Sequence, residues 1–273
     1  MTDIIEVKQA DMLSAINRAE VDVQIATAKQ YPRDINKVLN TILTYATMDR
    51  ETAEDCFYVL RRENTVIDGI SVRLAEIFAS GWGNLRVQSR IIANDGRTIT
   101  AQAICHDLES NVAVSVEVKR SILTKRGTTF SQDMQVVTGN AACSIAFRNA
   151  VLKVIPKAVT KRVVDEVKKV ALGQSIDLET SRQNIIQYFG KLGVTTEQVL
   201  AYLGISKIEE IDKQAVFELR ATANAIKEGT TTADETFVKP FVEAKKKAAA
   251  VDAAKTAQDK VTAAMQQSVT KHQ

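Results

Sequence analysis

Histidine is almost missing from this chain: there are two in 273 residues, His106 and the penultimate His272. Triads built on a histidine base and histidine-rich metal sites therefore have little material to draw on. The three cysteines, Cys56, Cys105 and Cys143, are odd in number, far apart and each set in an apolar stretch. That pattern predicts buried thiols in a reducing compartment, not a disulfide framework. No apolar run approaches the roughly 18 residues that a membrane-spanning helix needs, and Met1-Thr2-Asp3 opens no signal peptide. The expectation is a cytoplasmic protein with no membrane partner. Among the 11 glycines there is no Gly-x-x-x-x-Gly-Lys-Ser/Thr, and Gly81-Trp82-Gly83 lacks the third glycine of a dinucleotide loop. No nucleotide cofactor is expected, and Mg²⁺ enters only as a modulator.

What is present is charge, unevenly placed. The formal net charge is +3, yet residues 1–84 carry 9 basic and 13 acidic side chains, residues 85–162 carry 12 and 5, and residues 163–273 carry 15 of each. A basic segment between acidic and neutral ones is the electrostatic footprint of a polyanion partner, set against the plainer alternative of a solvated surface. A globular chain of this length buries about three quarters of its unfolded surface, so it needs no metal or disulfide to hold together.

Residues 4–30 show helical spacing up to Tyr31-Pro32. Asp34 then caps a helix whose apolar face is Ile35, Val38, Leu39, Ile42 and Leu43, and Met48 to Thr52 restarts it. Cys56 to Leu60 and Val66-Ile67 read as a strand pair turning at Glu63-Asn64. Asp68 to Ser71 supplies a cap, and a helix runs from Val72 to Ser80, closed by Gly81 to Asn84. Three strands follow: Leu85 to Ala93, Arg97 to His106 after the hairpin signal Asn94-Asp95-Gly96, and Val112 to Ile122. In the third, Val112, Val114, Val116 and Val118 alternate with polar or small residues, as a half-buried strand does. Thr124 to Thr129 reads as a mobile loop, and Ser131 to Ile155 as a helix whose apolar run is broken at Arg148-Asn149 and which Pro156 ends or kinks. Residues 1–172 thus form an α+β core, an antiparallel sheet packed with helices. Residues 173–240 form a small helical module with helices at Thr180 to Leu192, at Thr195 to Leu203 and twice between Ile208 and Lys227. Residues 241–273 form an Ala/Lys-rich tail, either a solvated helix or disordered.

Two constellations carry chemistry. Asp107 at a strand end, with Glu117 and Lys119 on the next strand, is a permissive arrangement for Mg²⁺-dependent phosphodiester cleavage, but no histidine or further acid supports a metal there and an ordinary polar strand face is the favoured reading. The second is distributed and basic. It comprises Arg86 and Arg90 on the first strand, Arg97 on the second, Lys119 and Arg120 on the third, and Lys125 and Arg126 in the loop. Arg148, Lys153, Lys157, Lys161 and Arg162 follow on the helical segment. A groove of such cations binds single strands without reading sequence, because Lys and Arg contact phosphates. Trp82 offers a stacking face or turn packing, and His106 reads as a strand-end polar residue. A third reading is a phage structural or assembly protein, which the helical module and tail would suit.

The order of strand pair, helix, three strands, basic loop and long helix ending in proline resembles the phage single-strand annealing proteins of the RecT and lambda beta type. Met134, Arg148, Lys153 and Pro156 match the pattern of their closing helix, and Tyr58, Arg73 and Leu74 fall where the hairpin and first helix would be. The resemblance covers about residues 34–162, and the helix from Asp133 to Val154 has fewer cations before Arg148 than the family pattern. It implies a homo-oligomeric ring or filament whose core binds one single strand of DNA in a basic groove and pairs it with its complement without ATP. Under it, Arg148 and Lys153 contact phosphates from the helix, while Lys119, Arg120, Lys125 and Arg126 close over the strand. By analogy, the C-terminal module docks a host single-strand-binding protein or a phage exonuclease.

Overall fold

The computed structural model describes residues 2–62, 65–124, 126–173 and 178–246. The fold is α+β, with small antiparallel sheets packed by helices and a helical C-terminal region. The chain divides into two units, one of Met1–Ser175 with Phe217–Thr230, the other of Ile176–Val216 with Thr231–Gln273.

In the first unit α1 spans Thr2–Gln30, and α2, Ile35–Ala46, starts where the Asp34 carboxylate accepts from the amides of Asn36 and Lys37. Its buried stripe is Val38, Leu39, Ile42 and Ala46. Asp49 caps α3, Arg50–Asp55, by accepting from the Thr52 amide at 2.7 Å. The hairpin of β1, Phe57–Arg62, and β2, Thr65–Ile70, is longer than the sequence suggests. Asp68, expected in a helix cap, instead pairs with Val59, and the cap of α4, Val72–Trp82, is Ser71. Gly81 lies inside α4 because α2 crosses there: a Cβ at residue 81 would collide with the Ile42 side chain.

The second sheet has the order β3-β4-β5, with β3 at Leu85–Asn94, β4 at Thr98–Asp107 and β5 at Val112–Ser121. Asp95 fixes the first turn by accepting from the amides of Arg97 and Thr98, and a bulge sits between Ile91 and Ala93. Across one face lies α5, Gln132–Val154. Small residues make this close approach: Ala142, Ala146 and Ala150 on the helix and Ala101 and Ala103 on β4 have no exposed surface. The pair Arg148-Asn149 that breaks the apolar run does not interrupt the helix, since Arg148 finds partners inside the fold and α5 runs on to Val154 as expected. Pro156 then starts α6, Lys157–Leu172. The segment expected as a mobile loop is a closed turn in its described residues. Leu123 bridges Thr129, and the Thr124 amide donates to the Thr128 carbonyl at 2.8 Å. Lys125 lies outside the described residues.

The second unit holds α7, Leu178–Lys191, and α8, Thr196–Leu203, which opens on a Thr195/Gln198 capping box and closes on left-handed Gly204. A 3-10 turn at Ile208–Glu210 stands where the first of two later helices was expected. The rings of Phe189 and Tyr202 each lie 4.7 Å from that of Phe237, on the π-helical turn Asp234–Val238. The helix α9, Lys213–Lys227, begins here, but from Phe217 onward it belongs to the first unit. The sequence pattern alone places this stretch in the helical module of residues 173–240. Burial explains the difference: Leu219, Ala221 and Ala225 are fully covered, and Phe217 meets Phe57 edge to face at 5.5 Å. The tail from residue 247 is outside the described residues. Among those residues no helix is long and apolar enough to cross a membrane.

Candidate nucleic-acid interface

Strand register assigns every side chain of the second sheet to one of two faces. On the face covered by α5, Ile99, Ala101, Ala103, Cys105 and Asp107 stand opposite Arg120, Val118, Val116, Val114 and Val112. The other face is not covered by α5 and is open along β5 and the outer part of β3, while Thr100 is buried and Gln102, Ile104 and His106 are half-buried. It carries Arg86, Gln88 and Arg90 on β3, Gln102 and His106 on β4, and Ser115, Glu117 and Lys119 on β5. Arg90, Glu117 and Lys119 are exposed, while Arg86 is half-buried and donates to Gln24 Oε1 at 3.0 Å. Arg90 donates to Gln102 at 3.4 Å, and His106 Nε2 is 3.0 Å from Asn111 Oδ1. This face therefore sets three cations against one carboxylate. At the sheet's turn end, Thr129 Oγ1 donates to the Gly96 carbonyl at 3.3 Å, placing the turn of exposed Arg126 beside that of exposed Arg97.

The Mg²⁺ constellation is not assembled. Asp107 pairs with Val112, five residues before Glu117, and alternation then sends the two carboxylates to opposite faces of the sheet. Asp107 is moreover neutralised: Arg33 Nη1 and Nη2 donate to its two oxygens at 2.7 and 2.9 Å, and Trp82 Nε1 donates at 3.3 Å. Burial by itself would raise the Asp107 carboxyl. The bonds from Arg33, the Ser110 amide and Trp82, with the Arg33 charge, outweigh it and hold it down at about 2. Arg33 also lies 4.7 Å over the Trp82 ring, so the tryptophan is buried packing and not a stacking platform. Among the described residues no group of three or more His, Cys, Asp or Glu is arranged to hold a metal ion.

Two other predicted contacts face inward. Arg120 is half-buried on the α5 side of the sheet, opposite Ile99. Arg148 is 7% exposed, its guanidinium 4.7 Å from the Tyr58 ring centroid and 3.9 Å from Glu228 Oε2. Neither offers phosphate an open approach in this conformation. Arg73 is exposed at the start of α4 and donates to Glu76 at 3.0 Å. Lys153 at the end of α5 and Lys157, Lys161 and Arg162 on α6 are exposed. Met134 is 46% exposed on α5.

Sequence reasoning missed the ion pairs that hold this arrangement. Arg33 to Asp107, Arg61 to Glu218 and Arg220 to Glu54 join residues 74, 157 and 166 positions apart, and no local pattern signals them. Comparisons with protein-family models, with curated proteins and with solved structures find no match to this chain.

Proposed function

We propose that this chain binds single-stranded DNA across the open face of β3, β4 and β5 and, as a homo-oligomer, pairs complementary strands without ATP. The observation that carries the reading is that face, with Arg86, Arg90 and Lys119 against the single carboxylate of Glu117. A backbone-tracking surface of this kind neutralises phosphates without reading bases, which annealing requires of a protein that must leave bases free to pair. The exposed Arg97 and Arg126 at the turn end extend the same charge, whereas Lys153, Lys157 and Lys161 are exposed on the helices and form no part of this sheet face. In this reading no residue is catalytic. Its partners are the strand, its complement and further copies of the chain, with the helical second unit as the dock for a host single-strand-binding protein or a phage exonuclease.

The test is the salt dependence of binding to a labelled oligothymidylate. Each phosphate contact contributes about 0.7 to the slope of log affinity against log salt for single strands. Replacing Arg86, Arg90 and Lys119 together with alanine therefore lowers that slope by about 2. An unchanged slope in a folded triple variant would place the strand elsewhere.

A further inference from the structure

Helix α1 is anchored to the fold along one side only. Val21 and Ile25 are half-buried, Ala28 is 1% exposed, and Gln24 Oε1 accepts from Arg86 on β3 at 3.0 Å. These residues recur every three or four positions and so share one side of the helix. Further back the helix stands clear of the fold, for Ser14 to Glu20 are exposed without exception through nearly two turns. A helix in that setting gains little from propensity alone, because most helical stability in proteins comes from packing an apolar face.

The side turned away from the anchor has such a face. At 3.6 residues per turn Ile16, Ala19, Val23 and Ala26 fall opposite Val21, Gln24, Ile25 and Ala28. All four are exposed, Ile16 at 47% and Val23 at 65%. Their alternating steps of three and four are the a/d spacing of a coiled-coil seam, which the sequence carries back through Met12 and Ile5 with Gln9 as its polar member. The flanking charges select what covers it. With Ile16 and Val23 at a, the g positions are Lys8, Ala15 and Asp22. In an antiparallel pair g faces g, so Lys8 of each copy meets Asp22 of the other, and Ala15 lies on the two-fold axis. The e positions then bring Glu6 to Thr27 and Leu13 to Glu20, with no like charges opposed. A parallel pair sets Lys8 against Leu13 and Asp22 against Thr27, and gains no ion pair.

We infer that α1 is a dimerisation arm that pairs antiparallel with α1 of a second copy of this chain. Such a contact is isologous and closes on two subunits, whereas a ring or filament is built head to tail. The arm is therefore separate from the contacts that build the homo-oligomer of the annealing reading, and it does not rest on that reading. Where both hold, one dimer carries two basic sheet faces, one for each of two complementary strands.

The experiment uses the full chain without DNA. Sedimentation velocity over a concentration series is expected to show a reversible dimer step. Ile16→Ser with Val23→Ser should raise its dissociation constant by about tenfold or more and leave the emission of buried Trp82 unchanged, since neither side chain packs on the fold. Lys8→Glu should weaken the dimer, and adding Asp22→Lys should restore it. Under mild oxidation Ala15→Cys should link two copies and Val23→Cys should not. A chain that stays monomeric at every concentration would overturn the arm, as would a dimer unmoved by the Ile16 and Val23 changes, a Lys8→Glu defect that Asp22→Lys does not repair, or linkage through Val23→Cys in place of Ala15→Cys. A labelled oligothymidylate separates this outcome from the strand reading. Strand binding by a chain without the dimer refutes the arm alone, and a dimer that binds no strand refutes the strand reading alone.

Discussion

Arg33 lies outside the basic segment and outside every motif, yet it fixes the loop before α2 against the β4–β5 turn. It does so through Asp107, the Gly83 carbonyl and the Trp82 face. Removing one partner of such a buried pair leaves the other charge uncompensated, at a cost of about 3–5 kcal/mol. Arg33→Ala should therefore lower the thermal midpoint by roughly 10 °C, read by circular dichroism. The same pair sets an acid limit. A carboxylate held below its unfolded value contributes stability above about pH 4, and loses it as pH falls through its folded value of about 2. In Asp107→Asn that loss between about pH 4 and pH 2 should shrink by on the order of 1–2 kcal/mol, measured as urea stability against pH. Asp107 was legible as a strand-end acid, but its partner was not, because the two are 74 residues apart and only the folded chain joins them. Arg148 was legible as a cation on the closing helix, but its burial was not, because Tyr58 and Glu228, which surround it, come from distant parts of the chain.

At the scale of elements the hydrophobic period carried most of the information. The Val114 to Val118 alternation, the Asn94-Asp95-Gly96 turn and the Val38, Leu39 and Ile42 stripe of α2 stand in the structure where the pattern put them, whereas Val112 and Ile35 at the ends of their elements are exposed. Parity along a strand was equally readable and decides the Mg²⁺ question, since it separates Asp107 from Glu117 once Asp107 is paired with Val112. Less legible was the α5–sheet contact, because alanine-to-alanine packing has little hydrophobic contrast. The two faces give an element-level prediction. Ser115→Lys on the open face should leave the melting midpoint within about 2 °C and tighten oligothymidylate binding. Val116→Lys, one residue on and against α5, should destabilise by about 2 kcal/mol or more and bind no tighter, as the same melts and titrations will report.

For the whole molecule, chain order and spatial order part company at α9. A boundary drawn after Gly173 from composition severs the core from Phe217–Thr230, whose Leu219, Ala221 and Ala225 are buried and whose Phe217 lies against Phe57. A chain ending at Gly173 should accordingly unfold at a lower urea concentration than the full chain and expose Phe57 and Glu54, rather than behave as an intact domain. No local signal marks this return, since the stretch reads as one more amphipathic helix of a charge-balanced module. Pairing of strands on a basic sheet face can be followed on one gel. Two complementary labelled oligonucleotides are mixed with the full chain and Mg²⁺ in the absence of ATP, and both pairing and strand length are followed. Faster pairing of strands that stay intact is expected, with the acceleration lost when Arg86, Arg90 and Lys119 are replaced together. Pairing no faster than without protein, or strands that shorten, would contradict that expectation.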